Sequence, residues 1–111
     1  MASIREVEVH DEVREWFVAL HETAQDQVAK VVDQLGERGE QLRMPHSRAL
    51  GDGLFELRIN LRDEQRRITY RFARDGRIVL LTTFHKQRQN ERREVARART
   101  ELSRCAAAHG E

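Results

Sequence analysis

Between Leu54 and Lys86 the chain is written almost wholly in a two-residue period, and that stretch constrains everything around it. In Leu54–Arg62 (LFELRINLR), Phe55, Leu57, Ile59 and Leu61 fall on one side, and Glu56, Arg58, Asn60 and Arg62 on the other. Arg66–Ala73 (RRITYRFA) repeats the pattern, with Ile68, Tyr70 and Phe72 inward and Arg67, Thr69 and Arg71 outward. Such alternation marks strands with one buried face. Asp63-Glu64 makes the first turn, and Asp75-Gly76 is the strongest hairpin signal in the chain. Arg77–Lys86 (RIVLLTTFHK) is apolar on both sides, which makes it central or covered on both faces. Together the three strands predict an antiparallel meander.

The flanks change period. Asp11–Leu20 carries Val13, Trp16, Phe17 and Leu20 on one helical stripe, with Asp11 as N-cap. A second helix starts near Thr23, where Thr23 and Asp26 resemble a capping box. Its stripe is Ala24, Val28, Val31, Val32 and Leu35, and Gly36 and Gly39 end it. Ser3–His10 reads as a short edge strand, and Glu40–Gly53 as a linker holding the only proline, Pro45. Asn90 caps a last helix, packed through Val95, Ala98, Leu102 and Cys105/Ala106, and Ala106–Glu111 is expected to fray. The order β-α-α-β-β-β-α is α+β: a small antiparallel sheet with a helical pair on one face and a C-terminal helix.

At 111 residues the chain is one domain. No apolar run is long enough to span a bilayer, and the N-terminal sequence has no apolar core of a secretory leader. Cys105 is the only cysteine, so no internal disulfide and no cysteine zinc cage is expected, and a reducing cytoplasm fits.

Net charge is +1, but it is unevenly spread. Residues 1–53 hold 6 basic and 11 acidic groups, whereas residues 54–99 hold 13 basic and 6 acidic. Of the 20 bases, 18 are Arg, whose planar fork fits phosphate oxygens in pairs. Alternation puts Arg58, Arg62, Arg67 and Arg71 on one polar face of adjacent strands. Opposed like charges at cross-strand distance repel unless an anion lies between them, which suggests a phosphate site. The competing reading is a solvated face neutralised by Glu56, Asp63 and Glu64.

Other catalytic patterns are missing. There is no phosphate-binding glycine loop, no HExxH and no His/Asp cluster at metal-ligand spacing, so no metal or cofactor is expected. Cys105 lies on the last helix's stripe and reads as core. Among the histidines only His85 lies in the basic half, at a strand end beside Lys86.

Three motifs in order carry a resemblance. They are Gly53-Leu54-Phe55-Glu56-Leu57-Arg58, Arg67–Tyr70 within RITYRF, and Phe84-His85-Lys86 closing IVLLTTFHKQ, followed by the helix with EVARAR. With the two leading helices, this set resembles the RelE/ParE toxin superfamily, and within it the phage-derived HigB-like branch. The resemblance covers about residues 3–100. It implies the toxin of a type II toxin–antitoxin pair that cleaves mRNA, with ribosome dependence, without a metal. It also implies a cognate helix-turn-helix antitoxin, mRNA and the ribosome as partners, no membrane, and a cytoplasmic location. Other members of the superfamily poison DNA gyrase by protein contact, and a nucleic-acid-binding module or an inactive remnant on the same fold are further alternatives.

Carried over by residue, Arg58 and Arg67 match the positions that hold the scissile phosphate, and Lys86 matches the base after the third strand. Tyr70 matches a family aromatic, but alternation turns it inward. Some relatives use a Tyr or His near the C-terminus for acid–base work. This chain has no Tyr in its last helix, and Gln87 stands where some relatives have Arg. His85, of the one side-chain type that titrates near neutrality, is the substitute. The expected catalytic set is thus Arg58, Arg67, His85 and Lys86, with Arg62, Arg71 and Arg88 binding substrate.

Overall fold

A computed structural model describes residues 4–87 and 89–111. Five strands form one sheet in the order β1-β5-β4-β3-β2. The elements are β1 (Val7–Val9), α1 (Asp11–Val18), α2 (Glu22–Arg38), β2 (Ser47–Gly51), β3 (Leu54–Asn60), β4 (Gln65–Phe72), β5 (Ile78–His85) and α3 (Glu91–Ala108).

The meander β3-β4-β5 is where alternation places it, antiparallel and flanked on both sides. β5 pairs β4 on one side and β1 on the other, which explains its apolar residues on both faces. β1 is an edge strand and runs parallel to β5, not antiparallel: the α1–α2 crossover returns the chain to the opposite side of the sheet.

Two cores sandwich the sheet. Leu57, Ile59, Ile68, Tyr70, Ile78 and Leu80 meet Val13, Val28 and Leu35 of the helical pair. On the other face Leu54, Val79 and Leu81 meet Ala98 and Cys105 of α3. Each such buried aliphatic side chain contributes about 1.5–3 kcal/mol. Gly36 is buried within α2, where the chain leading into β1 lies against it and Arg5 N donates to its carbonyl at 3.0 Å. Gly39 ends α2 at φ +56°.

Several local expectations are corrected. The linker contains β2, which pairs β3 as Ser47↔Leu57, Arg48↔Glu56 and Ala49↔Phe55. Only Ser47 of it is buried, so it carries no apolar alternation to reveal it. Its hydroxyl hydrogen-bonds the Tyr70 phenol, and Gly51-Asp52-Gly53 turns at φ +94°, +54° and +82°. His10 and His21, not Asp11 and Thr23, are the N-caps, and neither makes a side-chain cap bond. Asn90 does cap α3, but its side chain faces backward, accepting from Gln87 N and donating to His85 O. The C-terminus does not fray: α3 runs to Ala108, and Glu111 Oε1 accepts from Arg71 Nη2 and Arg74 N, both at 2.7 Å. Among the described residues no helix is long and apolar enough to cross a membrane.

Candidate active site

The middle of the meander brings the two key arginines together. Arg58 on β3 pairs directly with Arg67 on β4, and Arg67 pairs with Phe84 on β5. Paired residues share a face, so both arginines lie on the α3 side. Arg48 lies there too, opposite Glu56. Arg67 is 1% exposed, and its Nε has no hydrogen-bond partner among the described residues. Glu56, also 1% exposed, stands 3.9 Å away with Oε2 equally unpartnered. That distance is too long for a hydrogen bond, so the pair is only partly compensated. Burial lowers the Arg67 pKa first, Arg58 and Arg48 lower it further, and Glu56 and Glu91 act against them. The result is a buried cation destabilised by its cationic neighbours, which a nearby anion would relieve.

Arg58 lies just beyond the first residue of β2, its N–H donating to His46 O at 2.8 Å, and its Nη1 lies 3.2 Å from Met44 Sδ. Lys86 extends the ladder beyond β5 by donating its N–H to Gln65 O at 2.8 Å. Its ammonium pairs with Glu91 in the first turn of α3 at 3.2 Å.

The expectation of an open arginine face is corrected by α3. Arg71 lies beneath that helix, 6% exposed, with Nη1 3.2 Å from Cys105 Sγ and Nη2 2.7 Å from Glu111. Burial works against its charge, but these hydrogen bonds outweigh it and raise its pKa. Arg62 is exposed in the β3–β4 turn, and Arg88 lies outside the described residues.

His85 is set apart by a bulge. The β4–β5 pairing steps from Tyr70↔Leu80 to Thr69↔Thr82, leaving Leu81 as the extra residue. From there the alternation of β5 is inverted. His85 pairs with Arg66 and shares the face of the helical pair, while Phe84 shares the face of Arg67. His85 Nδ1 lies 2.8 Å from Glu64 Oε2. Arg66 reaches the same carboxylate at 3.4 Å, bonds Thr83 Oγ1 at 2.9 Å, and lies 4.7 Å over the Trp16 ring. A shallow hollow lined by Leu20, His21, Arg62, Glu64 and His85 opens at the α1–α2 elbow.

Two groups thus emerge: Arg48, Arg58 and Arg67 near Glu56, with Lys86 and its partner Glu91 at the end of β5, and His85 with Glu64, Arg66 and Arg62. They meet at the end of β5, where His85 and Lys86 are consecutive. Sequence reasoning missed Arg48, because the strand bearing it lacks a pattern. It also missed Glu64 as the partner of His85, because a turn acid reads as solvated.

A family described as phage derived protein Gp49-like (DUF891) matches residues 15–103. Among solved structures, the chain is similar to E. coli toxin RelE, a double mutant in the free state. The TM-score is 0.54 at 19% identity, over 91% of this chain and 97% of that one. No curated protein matches.

Proposed function

The chain belongs to the Gp49-like family of phage-derived proteins, and from that membership we propose that it is the toxin of a type II toxin–antitoxin pair, an endoribonuclease that cuts mRNA on the ribosome. The observation that carries the reading is the cross-strand Arg58–Arg67 pair, with its buried, undercompensated charge. The similarity to the RelE toxin fold supports it. The implied partners are a helix-turn-helix antitoxin, mRNA and the ribosome, all met in the cytoplasm.

The reaction is internal transesterification, carried by side chains. The ribose 2′-OH loses its proton to a base and its oxygen bonds the adjacent phosphorus. The bond to the 5′-oxygen then breaks as that oxygen takes a proton. The products are a 2′,3′-cyclic phosphate and a 5′-OH. Arg58 and Lys86 contact the phosphate and stabilise the phosphorane, in general the largest catalytic contribution. Arg67 adds charge from beneath them. Arg48, and Arg62 in the turn, steer the backbone, together with Arg88. Arg71 is held by Glu111 and Cys105 and anchors α3. Glu64 orients His85 through Nδ1, leaving Nε2 to move the proton. One histidine beside an arginine cluster is modest equipment for free RNA. The ribosome supplies what is lacking by aligning the 2′-OH with the phosphorus.

Brief induction in a bacterial host, followed by primer extension on an abundant mRNA, tests this. Wild type gives cuts inside translated codons, and Arg58→Ala and Lys86→Ala lose them. Growth arrest with intact mRNA and broken chromosomal DNA would instead identify a poison of DNA gyrase that acts by contact.

A further inference from the structure

We propose that the chain binds one divalent transition ion of the zinc type between β1 and the last turn of α3, through Glu8, Cys105 and His109, with His10 beside Glu8. The site is separate from the arginine cluster, and the inference is independent of the nuclease reading.

One ligand atom each of Glu8, Cys105 and His109 lie within 4.8 Å of one another. His109 is the C-cap of α3, four residues after Cys105, and its N–H still bonds Cys105 O at 3.1 Å, which keeps the two on the same side. The Nδ1 of His109 is 2.7 Å from Cys105 O, and donating its proton there leaves the Nε2 lone pair facing Glu8. A histidine ligand is ordinarily oriented in this way by a carbonyl on its other nitrogen.

The spacings themselves point to a cation. Glu8 Oε2 is 3.8 Å from His109 Nε2 and 3.9 Å from His10 Nε2. The two carboxylate–imidazole distances are too long for direct hydrogen bonds. Donor atoms about 2.0–2.3 Å from a tetrahedral zinc stand about 3.3–3.8 Å from one another. Carboxylate oxygen, imidazole nitrogen and thiolate sulfur are a donor set suited to zinc.

The surroundings are compatible. Glu8 uses its other oxygen on Arg77 at 2.7 Å, and Glu101 lies 3.7 Å from His10 Nδ1. Arg71 Nη1 lies 3.2 Å from Cys105 Sγ, and Glu111 offsets its charge. The ion would join a three-residue edge strand to the C-terminal end of the last helix, so binding stabilises the fold.

The test uses the full chain, freed of metal and titrated with zinc against a chromophoric chelator, with thermal melts alongside. One equivalent binds, and the melting temperature rises. Glu8→Gln and His109→Ala, both at part-exposed side chains that keep the fold, lower the affinity about tenfold or more. With Co2+, the wild type shows a thiolate-to-cobalt charge-transfer band that Cys105→Ser lacks. No stoichiometric binding, unchanged affinity in both Glu8→Gln and His109→Ala, or absence of the thiolate band in wild type would each overturn the proposal.

Discussion

Arg58 and Arg67 are paired in the sheet but differ in what they do for the fold. Arg58 reaches the surface and makes one weak contact, to Met44. Arg67 is buried against Glu56. Arg58→Ala is therefore expected to leave stability within about 0.5 kcal/mol of wild type. Arg67→Ala abandons a buried carboxylate and costs about 3 kcal/mol, read by urea denaturation. Equal losses in the two variants would contradict this division. Tyr70 is a second residue whose role is structural. Its ring packs with Phe55 and Phe72, and burial raises its pKa against the lowering effect of its Ser47 hydrogen bond. Tyr70→Phe strands the buried Ser47 hydroxyl and costs about 1–2 kcal/mol, with mRNA cutting retained. Loss of cutting at wild-type stability would give the phenol a place in the chemistry.

At the scale of elements, the end of β5 shows how a short edge strand is completed. β1 stops at Val9, so Thr83, paired with Ile68 of β4 on one side, has no strand on the other. Glu12 of α1 accepts the Thr83 N–H at 2.9 Å, and Arg97 of α3 holds the same glutamate at 2.5 and 2.8 Å. Burial alone would raise the Glu12 pKa, but the Arg97 and Thr83 hydrogen bonds outweigh it and place it below 4.5. A depressed carboxylate contributes stability that is present above its unfolded value and lost as pH falls through the folded one. The protein is expected to lose stability below about pH 4.5, and Glu12→Gln to flatten that loss, in denaturation curves across pH. A wild-type acid slope unchanged by the substitution would refute it.

The elements also mark what the sequence could reveal. β3 and β4 were legible because their face toward the helical pair is apolar and their other face polar, although α3 helps bury that one too, and β5 because apolar residues fill both of its faces. β2 was not, since only Ser47 of this edge strand is buried and no apolar alternation marks it. The bulge at Leu81 was equally silent, as no residue type requires it, yet it separates His85 from the face of Arg67. Cys105 read as core and His109 as part of a fraying tail, and Glu8 and His10 come near them only through the fold.

Over the whole molecule, the excess of positive charge in residues 54–99 does not form an open plate. Helices cover both faces of the sheet, and α3 buries Arg71 beneath it. What stays accessible is the sheet end, with Arg48, Arg58 and Lys86 around buried Arg67. Binding to a single-stranded RNA should therefore weaken steeply with salt. Arg58→Ala should lower the slope of log K against log salt by about 0.7, the share of one phosphate contact. An unchanged slope would place the RNA elsewhere. The most direct measurement is cleavage of an mRNA on stalled ribosomes by purified wild type and Arg58→Ala, with both proteins shown to be equally folded. The account predicts wild-type cuts that leave a 2′,3′-cyclic phosphate and a 5′-OH, abolished in Arg58→Ala. Intact mRNA with wild type, or equal cutting by both, would contradict it.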